Sequence, residues 1–119
     1  MAGQNLTGIA RLNAAWQNSL TGLKACWTHE EAFRQEVIIS IVGIPLGFYL
    51  GETPIEQVLL IGSLLLLMII ELLNSAVEAA IDRIGMERHE LSGRAKDIAS
   101  AAVLLGSVLT ALTWFLLLI

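Results

Sequence analysis

The stretch Ile98–Ile119, "IASAAVLLGSVLTALTWFLLLI", is twenty-two residues without a single charge. As a helix rising ~1.5 Å per residue, it is long enough to cross the ~30 Å hydrocarbon core of a bilayer. Two more uncharged runs precede it, "VIISIVGIPLGFYLG" at Val37–Gly51 and "QVLLIGSLLLLMII" at Gln57–Ile70. Each is short for a span and reaches the required length only by taking in its flanks, which carry charge. A chain with 55% hydrophobic residues and mean hydropathy +0.71 has too much apolar surface for an ordinary soluble domain of 119 residues. The predicted fold class is therefore all-α integral membrane. It is one domain over 1–119, with spans at about 30–50, 54–84 and 92–119.

Ahead of these spans, Ile9, Leu12, Trp16, Leu20, Leu23 and Trp27 recur at steps of three and four, on one face of a helix at about 4–28. Tryptophans on the apolar side suit a helix lying in the membrane interface. Packing on a soluble core is the competing reading, but three spans leave little such core. Thr28, with Glu31 three residues on, is placed to form a capping box for the first span. "GETP" at Gly51–Pro54 reads as a tight turn, with Pro54 at the first position of the next helix. That helix is unbroken to Ile84. At ~46 Å it overshoots the hydrocarbon, so its C-terminal third must emerge. Gly85 ends it, and "MERHELS" connects to a third span starting near Ser92.

Basic residues set the orientation. Arg11, Lys24 and Arg34 lie on the N-terminal side, Arg83, Arg88, Arg94 and Lys96 flank the second connection, and the Gly51–Glu56 turn has none. The N-terminus and Gly85–Asp97 are therefore expected in the cytoplasm. No basic cluster leads a compact apolar run, so a signal peptide is not expected. A net charge of −4 argues against nucleic acid as a partner. Cys26 is the only cysteine, which excludes an intramolecular disulfide and makes a thiolate metal site an unsuitable reading. Within its apolar stripe, Cys26 reads as a small apolar residue.

The second span runs without interruption into "ELLNSAVEAAIDRIG", Glu71–Gly85. On a wheel of ~100° per residue with Glu71 at zero, Asn74 falls at about −60°, Glu78 at about −20°, Asp82 at about +20° and Ser75 at about +40°. They form one polar stripe. Glu71 lies ~25 Å along the helix from Pro54, near the inner edge of the hydrocarbon, and Glu78 lies ~10 Å nearer the cytoplasm. A charge at membrane depth is costly and usually has a function. A desolvated carboxylate can take a proton from an alcohol, and one at the water edge can hold Mg²⁺, which prefers oxygen ligands and substrate phosphates. Each also has a plainer role: Glu71 as a sealed interface acid, Glu78 as a solvated helix-end acid, Asp82 as partner of Arg83 or Arg94. Asn74 and Ser75 can serve as interhelical hydrogen bonds, the reading favoured for Ser75.

"AFRQE", "ELLNSAVEAAIDRIG" and "HELSGRAKD" resemble, in order and spacing, the small membrane-bound prokaryotic diacylglycerol kinase family, over nearly the whole chain. Neither a Walker-type loop nor a kinase Gly-rich loop occurs. The resemblance implies a homotrimer, each subunit with three transmembrane helices and an N-terminal amphipathic surface helix, in the bacterial inner membrane. It implies MgATP-dependent phosphorylation of diacylglycerol to phosphatidic acid. Carried over by motif, Glu71 matches the catalytic base, Glu30 and Glu78 the metal ligands, and Asn74 a supporting residue. Arg11, Glu87, His89, Lys96 and Asp97 match positions contacting ATP. Ala32, Phe33, Arg34, Gln35, Glu36, Ser100 and Trp114 match positions near the lipid. Asn18 and Arg88 stand where the best-known members carry tyrosine on the nucleotide side, so nucleotide affinity or base preference is open to change.

Phosphoryl transfer needs positioning and charge neutralisation more than covalent help. Mg²⁺, Lys96 and helix-start amides near Ser92 would supply it. Plainer readings stand beside these. Arg94 and Lys96 can simply snorkel and fix topology, Glu30 can be a first-turn acid, His89 a surface residue, and Trp27 and Trp114 packing aromatics. Three rivals remain: the same chemistry on undecaprenol, a non-enzymatic proton or cation carrier, and a trimeric scaffold. The outer halves of the spans lack ionisable residues, which disfavours an ion path.

Overall fold

In a computed structural model, residues 5–85 and 89–119 are described. Four helices follow one another: α1 Gly8–His29, α2 Glu31–Leu50, α3 Pro54–Ile84 and α4 Glu90–Leu118. No strand occurs among the described residues. α2, α3 and α4 are each long and apolar enough to cross a membrane.

The α2–α3 hairpin is closed by the residues that foretold it. Thr53 caps α3 by accepting from the Glu56 backbone N–H at 3.2 Å, and Pro54 follows where a missing N–H costs nothing. Gln57 Nε2 donates to the carbonyls of Phe48 at 2.9 Å and Gly51 at 3.4 Å, tying the end of α2 to the start of α3. α3 then runs 31 residues without a break. α4 begins at Glu90, two residues before the expected Ser92. His89 is its N-cap, with Nδ1 accepting from the Leu91 N–H at 3.1 Å.

The expected capping box at Thr28 does not form. Thr28 lies inside α1, and its hydroxyl donates back to the Lys24 carbonyl at 2.8 Å. A threonine whose hydroxyl can reach the carbonyl four residues earlier is satisfied within a helix and need not end one. Glu30, in extended backbone, is the only residue between α1 and α2 and makes no side-chain cap. The end of α1 is instead closed by Arg34, whose Nη1 donates to the carbonyls of Trp27 at 2.8 Å and Thr28 at 3.1 Å.

α3 is the central helix, packed on α2 along one side and α4 along the other. The seams rely on small residues. A Cβ on Gly43 would lie 2.6 Å from Leu64 Cδ1, one on Gly47 2.8 Å from Ile61 Cγ1, and one on Gly106 2.8 Å from Ile70 Cδ1. Such close approach is how helices gain packing where lipid removes the usual hydrophobic drive. Leu60 is wholly buried between the helices, with Leu64 and Phe33 close to it in burial. Most other large apolar side chains of α2–α4 are exposed, as a lipid-facing surface requires. The apolar face of α1 is exposed too, from Ile9 to Trp27. Within the chain it packs little on the other helices, as the interfacial reading expects.

Candidate active site

The polar stripe of α3 is held by several hydrogen bonds. Glu71 is only 3% exposed. Asn74, one turn on, donates from Nδ2 to Glu71 Oε2 at 3.1 Å and to Glu78 Oε1 at 3.3 Å, so one amide touches both acids. The spacing of three and then four residues makes this possible on a single helix face. Ser75 reaches the other way, donating to Glu30 Oε1 at 3.0 Å. From α2, the Glu36 carboxyl lies near Glu71. No cation pairs with Glu36 or Glu71 among the described residues. Glu36 Oε1 and Asn74 Oδ1 are buried without a hydrogen-bond partner there. Buried polar atoms left unpaired are rare and costly. These two mark the end of the molecule where a polar ligand has something to satisfy.

A cavity of about 790 Å³ opens between α1 and α3, lined in part by Cys26, His29, Glu30, Ser75, Glu78 and Asp82. Two of the carboxylates expected to act together, Glu30 and Glu78, therefore face one space. Glu71 does not line it; it sits deeper, joined to it through Asn74. Burial pushes the Cys26 thiol up from its ordinary value, with hydrogen bonding to Ser75 acting against this and the nearby charge of Glu30 adding to it. A neutral thiol does not compete for a hard cation. The remaining donors are oxygens, the set that Mg²⁺ prefers. No group of three or more His, Cys, Asp or Glu side chains converges as a metal cage among the described residues. Mg²⁺ commonly takes one or two carboxylates and completes its shell with phosphates and water, so a two-carboxylate site fits it.

The other expected site residues are distributed as follows. Asp82 pairs with Lys96 Nζ at 2.8 Å, not with Arg83 or Arg94; Arg94 reaches Glu90 at 3.5 Å. Position decides this: Lys96, from α4, stands opposite Asp82, whereas Arg94 has Glu90 one turn away on its own helix. The Lys96 ammonium thus lies beside a carboxylate of the cavity wall. Both side chains of that pair are substantially exposed, so it adds little stability. His89 and Asp97 share a surface cleft of about 370 Å³ with Glu90, Gly93 and Arg94. Arg11 and Asn18 are exposed on α1 and do not line the main cavity. Glu87 and Arg88 lie outside the described residues.

On the lipid side, Phe33 is buried, Ala32 and Gln35 are exposed, and Arg34 is engaged with the end of α1. Ser100 is exposed on α4. Trp114 donates its indole N–H to the Leu60 carbonyl and to Ser63 Oγ, each at 3.1 Å. This level is ~16 Å along α3 from Glu71. Two pairings were not read from the sequence: Ser75 with Glu30, and Glu36 with Glu71. The stripe gives Ser75 an interhelical bond, but no spacing within one helix names its partner on another.

The family model for prokaryotic diacylglycerol kinase matches residues 17–118. The diacylglycerol kinase of Haemophilus influenzae is 52% identical over 108 residues, covering 91% of this chain and 92% of that protein. That of Escherichia coli K12 is 49% identical over 114 residues, covering 96% and 93%. That of Pseudomonas aeruginosa is 44% identical over 108 residues, covering 91% and 88%. The matched region, residues 17–118, includes the acid stripe as well as the apolar spans. The chain belongs to the prokaryotic diacylglycerol kinase family.

Proposed function

We propose that this enzyme transfers the γ-phosphoryl group of ATP to the free hydroxyl of diacylglycerol, giving phosphatidic acid and ADP at the cytoplasmic face of the bacterial inner membrane. The observation that carries the reading is a buried acid, Glu71, joined through one amide to Glu78, while Glu78 and Glu30 face a cavity large enough for a nucleotide. Asn74 holds Oε2 of Glu71 and leaves the other oxygen for substrate. Glu71 takes the hydroxyl proton as the lipid oxygen attacks the γ-phosphorus, and the bond to the bridging oxygen breaks. Glu30 and Glu78 are the residues that would hold Mg²⁺. Bound there, the ion supplies positive charge against the charge that spreads over the transferring group. Lys96, beside Asp82, adds a cation at the rim. Ser100 and the 32–36 segment border the lipid, with Trp114 deeper in the bundle. Arg11, Asn18, Glu87, Arg88, His89 and Asp97 border the nucleotide.

The basic residues of the N-terminal segment and of the second connection support a cytoplasmic site, and the apolar outer faces of α2–α4 suit lipid or neighbouring copies in a homotrimer. The relatives reported above are diacylglycerol kinases, which favours diacylglycerol over undecaprenol.

The test is transfer of label from γ-labelled ATP to each lipid in parallel, with purified protein and titrated Mg²⁺. Label should enter diacylglycerol and require the metal. Preferential labelling of the polyprenol would overturn the substrate, and metal-independent transfer would overturn the mechanism. Turnover that needs both Mg²⁺ and a lipid alcohol also excludes the carrier and scaffold readings.

A further inference from the structure

We propose that Ser75 is a positioning residue that aims Glu30 at the metal, an inference that rests on Glu30 and Glu78 being the Mg²⁺ ligands. Glu30 is poorly placed to orient itself. It is the lone extended residue between α1 and α2, and its side chain makes no cap bond with its own backbone surroundings. It has no cationic partner among the described residues. Its side-chain hydrogen bond comes from Ser75, forty-five positions away in sequence, and that bond joins the α1–α2 joint to the stripe of α3.

The Ser75 hydroxyl, like those of Ser40 and Thr110, reaches beyond its own helix, whereas most hydroxyls here bond within their own. Ser19, Thr21, Thr28, Ser107 and Thr113 all donate to the carbonyl four residues earlier in their own helix. That is the default for a hydroxyl on a helix. Ser75 instead directs its one proton to a carboxylate on another element. Its other neighbour, the Cys26 thiol, is kept neutral by burial and is a weak rival for that proton.

The bond also fits the geometry a metal site needs. Ser75 is three residues before Glu78, on adjacent turns of one face, and both line the cavity with Glu30. Holding Oε1 of Glu30 brings that carboxylate alongside Glu78 and leaves Oε2 for a cation. Hydrogen bonds to ligating carboxylates orient them, and their loss commonly weakens metal affinity by ~10–100-fold.

The experiment measures Mn²⁺ binding by electron paramagnetic resonance in the full-length protein, with a non-hydrolysable ATP analogue present, beside the Mg²⁺ dependence of turnover. Ser75→Ala should weaken Mn²⁺ binding by ~10-fold or more and raise the Mg²⁺ requirement equally, with the KM for diacylglycerol unchanged. Ser75→Thr, which keeps the hydroxyl, should restore most of the affinity. In a Glu30→Gln background, Ser75→Ala should have little further effect. If Glu30→Gln leaves Mn²⁺ binding intact, the ligand reading fails and this inference with it. If Glu30→Gln weakens binding but Ser75→Ala does not, the positioning inference alone fails. Equal losses in Ser75→Ala and Ser75→Thr, or losses additive with Glu30→Gln, would make the bond a matter of packing and also overturn it.

Discussion

The two ends of the helix bundle use polar atoms in opposite ways. Toward the Gly51–Thr53 turn, Ser63 donates to the Leu60 carbonyl and accepts from Trp114, while Thr110 donates to the carbonyls of Ser63 and Gly106. These hydrogen bonds close on one another and fasten α3 to α4. Toward Gly85, the polar atoms stay open. Asn74 joins Glu71 to Glu78, Ser75 bonds Glu30, and Glu36 Oε1 and Asn74 Oδ1 have no partner among the described residues. Polar groups within membrane helices thus have two distinct uses here. Those that satisfy each other give adhesion, and those that do not are available for chemistry.

The sharpest way to break that distinction is Glu71→Gln. It keeps size and hydrogen bonding but removes the carboxylate proposed above as the base. Phosphoryl transfer should fall by ~10²–10⁴-fold, the usual range for a general base. Circular dichroism should show the helices intact. Activity within tenfold of the parent would move Glu71 to the adhesive class.

At the other end, Gly47→Ala tests the seam. Its new methyl would lie 2.8 Å from Ile61 Cγ1 and 3.4 Å from Leu60 Cβ, atoms close to the backbone that cannot swing aside. Overpacking of this kind costs ~1–3 kcal/mol. Unfolding in detergent mixtures should show that loss, with the Mg²⁺ dependence of transfer unchanged. A shifted metal dependence would mean that the two ends are mechanically coupled.

Thr110→Val is smaller still. It removes a hydroxyl that bonds Ser63 across the seam, and hydrogen bonds between membrane helices average ~0.6 kcal/mol. The same unfolding assay should register a loss of about that size. A loss several times larger would show that the closed cluster acts as a unit.

Cys26 refines where the reactive end begins. Its thiol is raised, so the neutral form persists to higher pH and thiolate appears only above the ordinary range. Maleimide labelling should be slow near neutrality, compared with an exposed thiol, and should rise late as pH increases. Fast labelling at neutral pH would place Cys26 in the open part of the cavity.

The elements were legible and the contacts between them were not. α3 is the clearest element in the sequence, because Pro54 and Gly85 bracket an uninterrupted helical stretch. α1 and α2 were displaced by little, but for an instructive reason. Thr28 followed by Glu31 satisfies the pattern of a cap, and the same hydroxyl satisfies itself equally well inside a helix. The stripe of Glu71, Asn74, Glu78 and Asp82 followed from helical period alone. The partner of Asp82, by contrast, was sought in Arg83 and Arg94 and found in Lys96. Period orders residues around one axis; it says nothing about the height at which a second axis stands beside it. Glu30 with Ser75, and Glu36 with Glu71, depend on that height, and so they emerge only from the packed molecule.

One consequence follows from the single-residue joint between α1 and α2. A helix with its apolar face in the lipid surface behaves as a float, and its level tracks the level of the headgroups. Here the float meets the spanning helix at Glu30, with no slack on either side and Arg34 gripping the last carbonyls of α1. The side chain at the pivot is thus carried up or down with the membrane surface. The same joint also carries an acid of the cavity between α1 and α3, so the height of that acid is referenced to the level at which α1 lies.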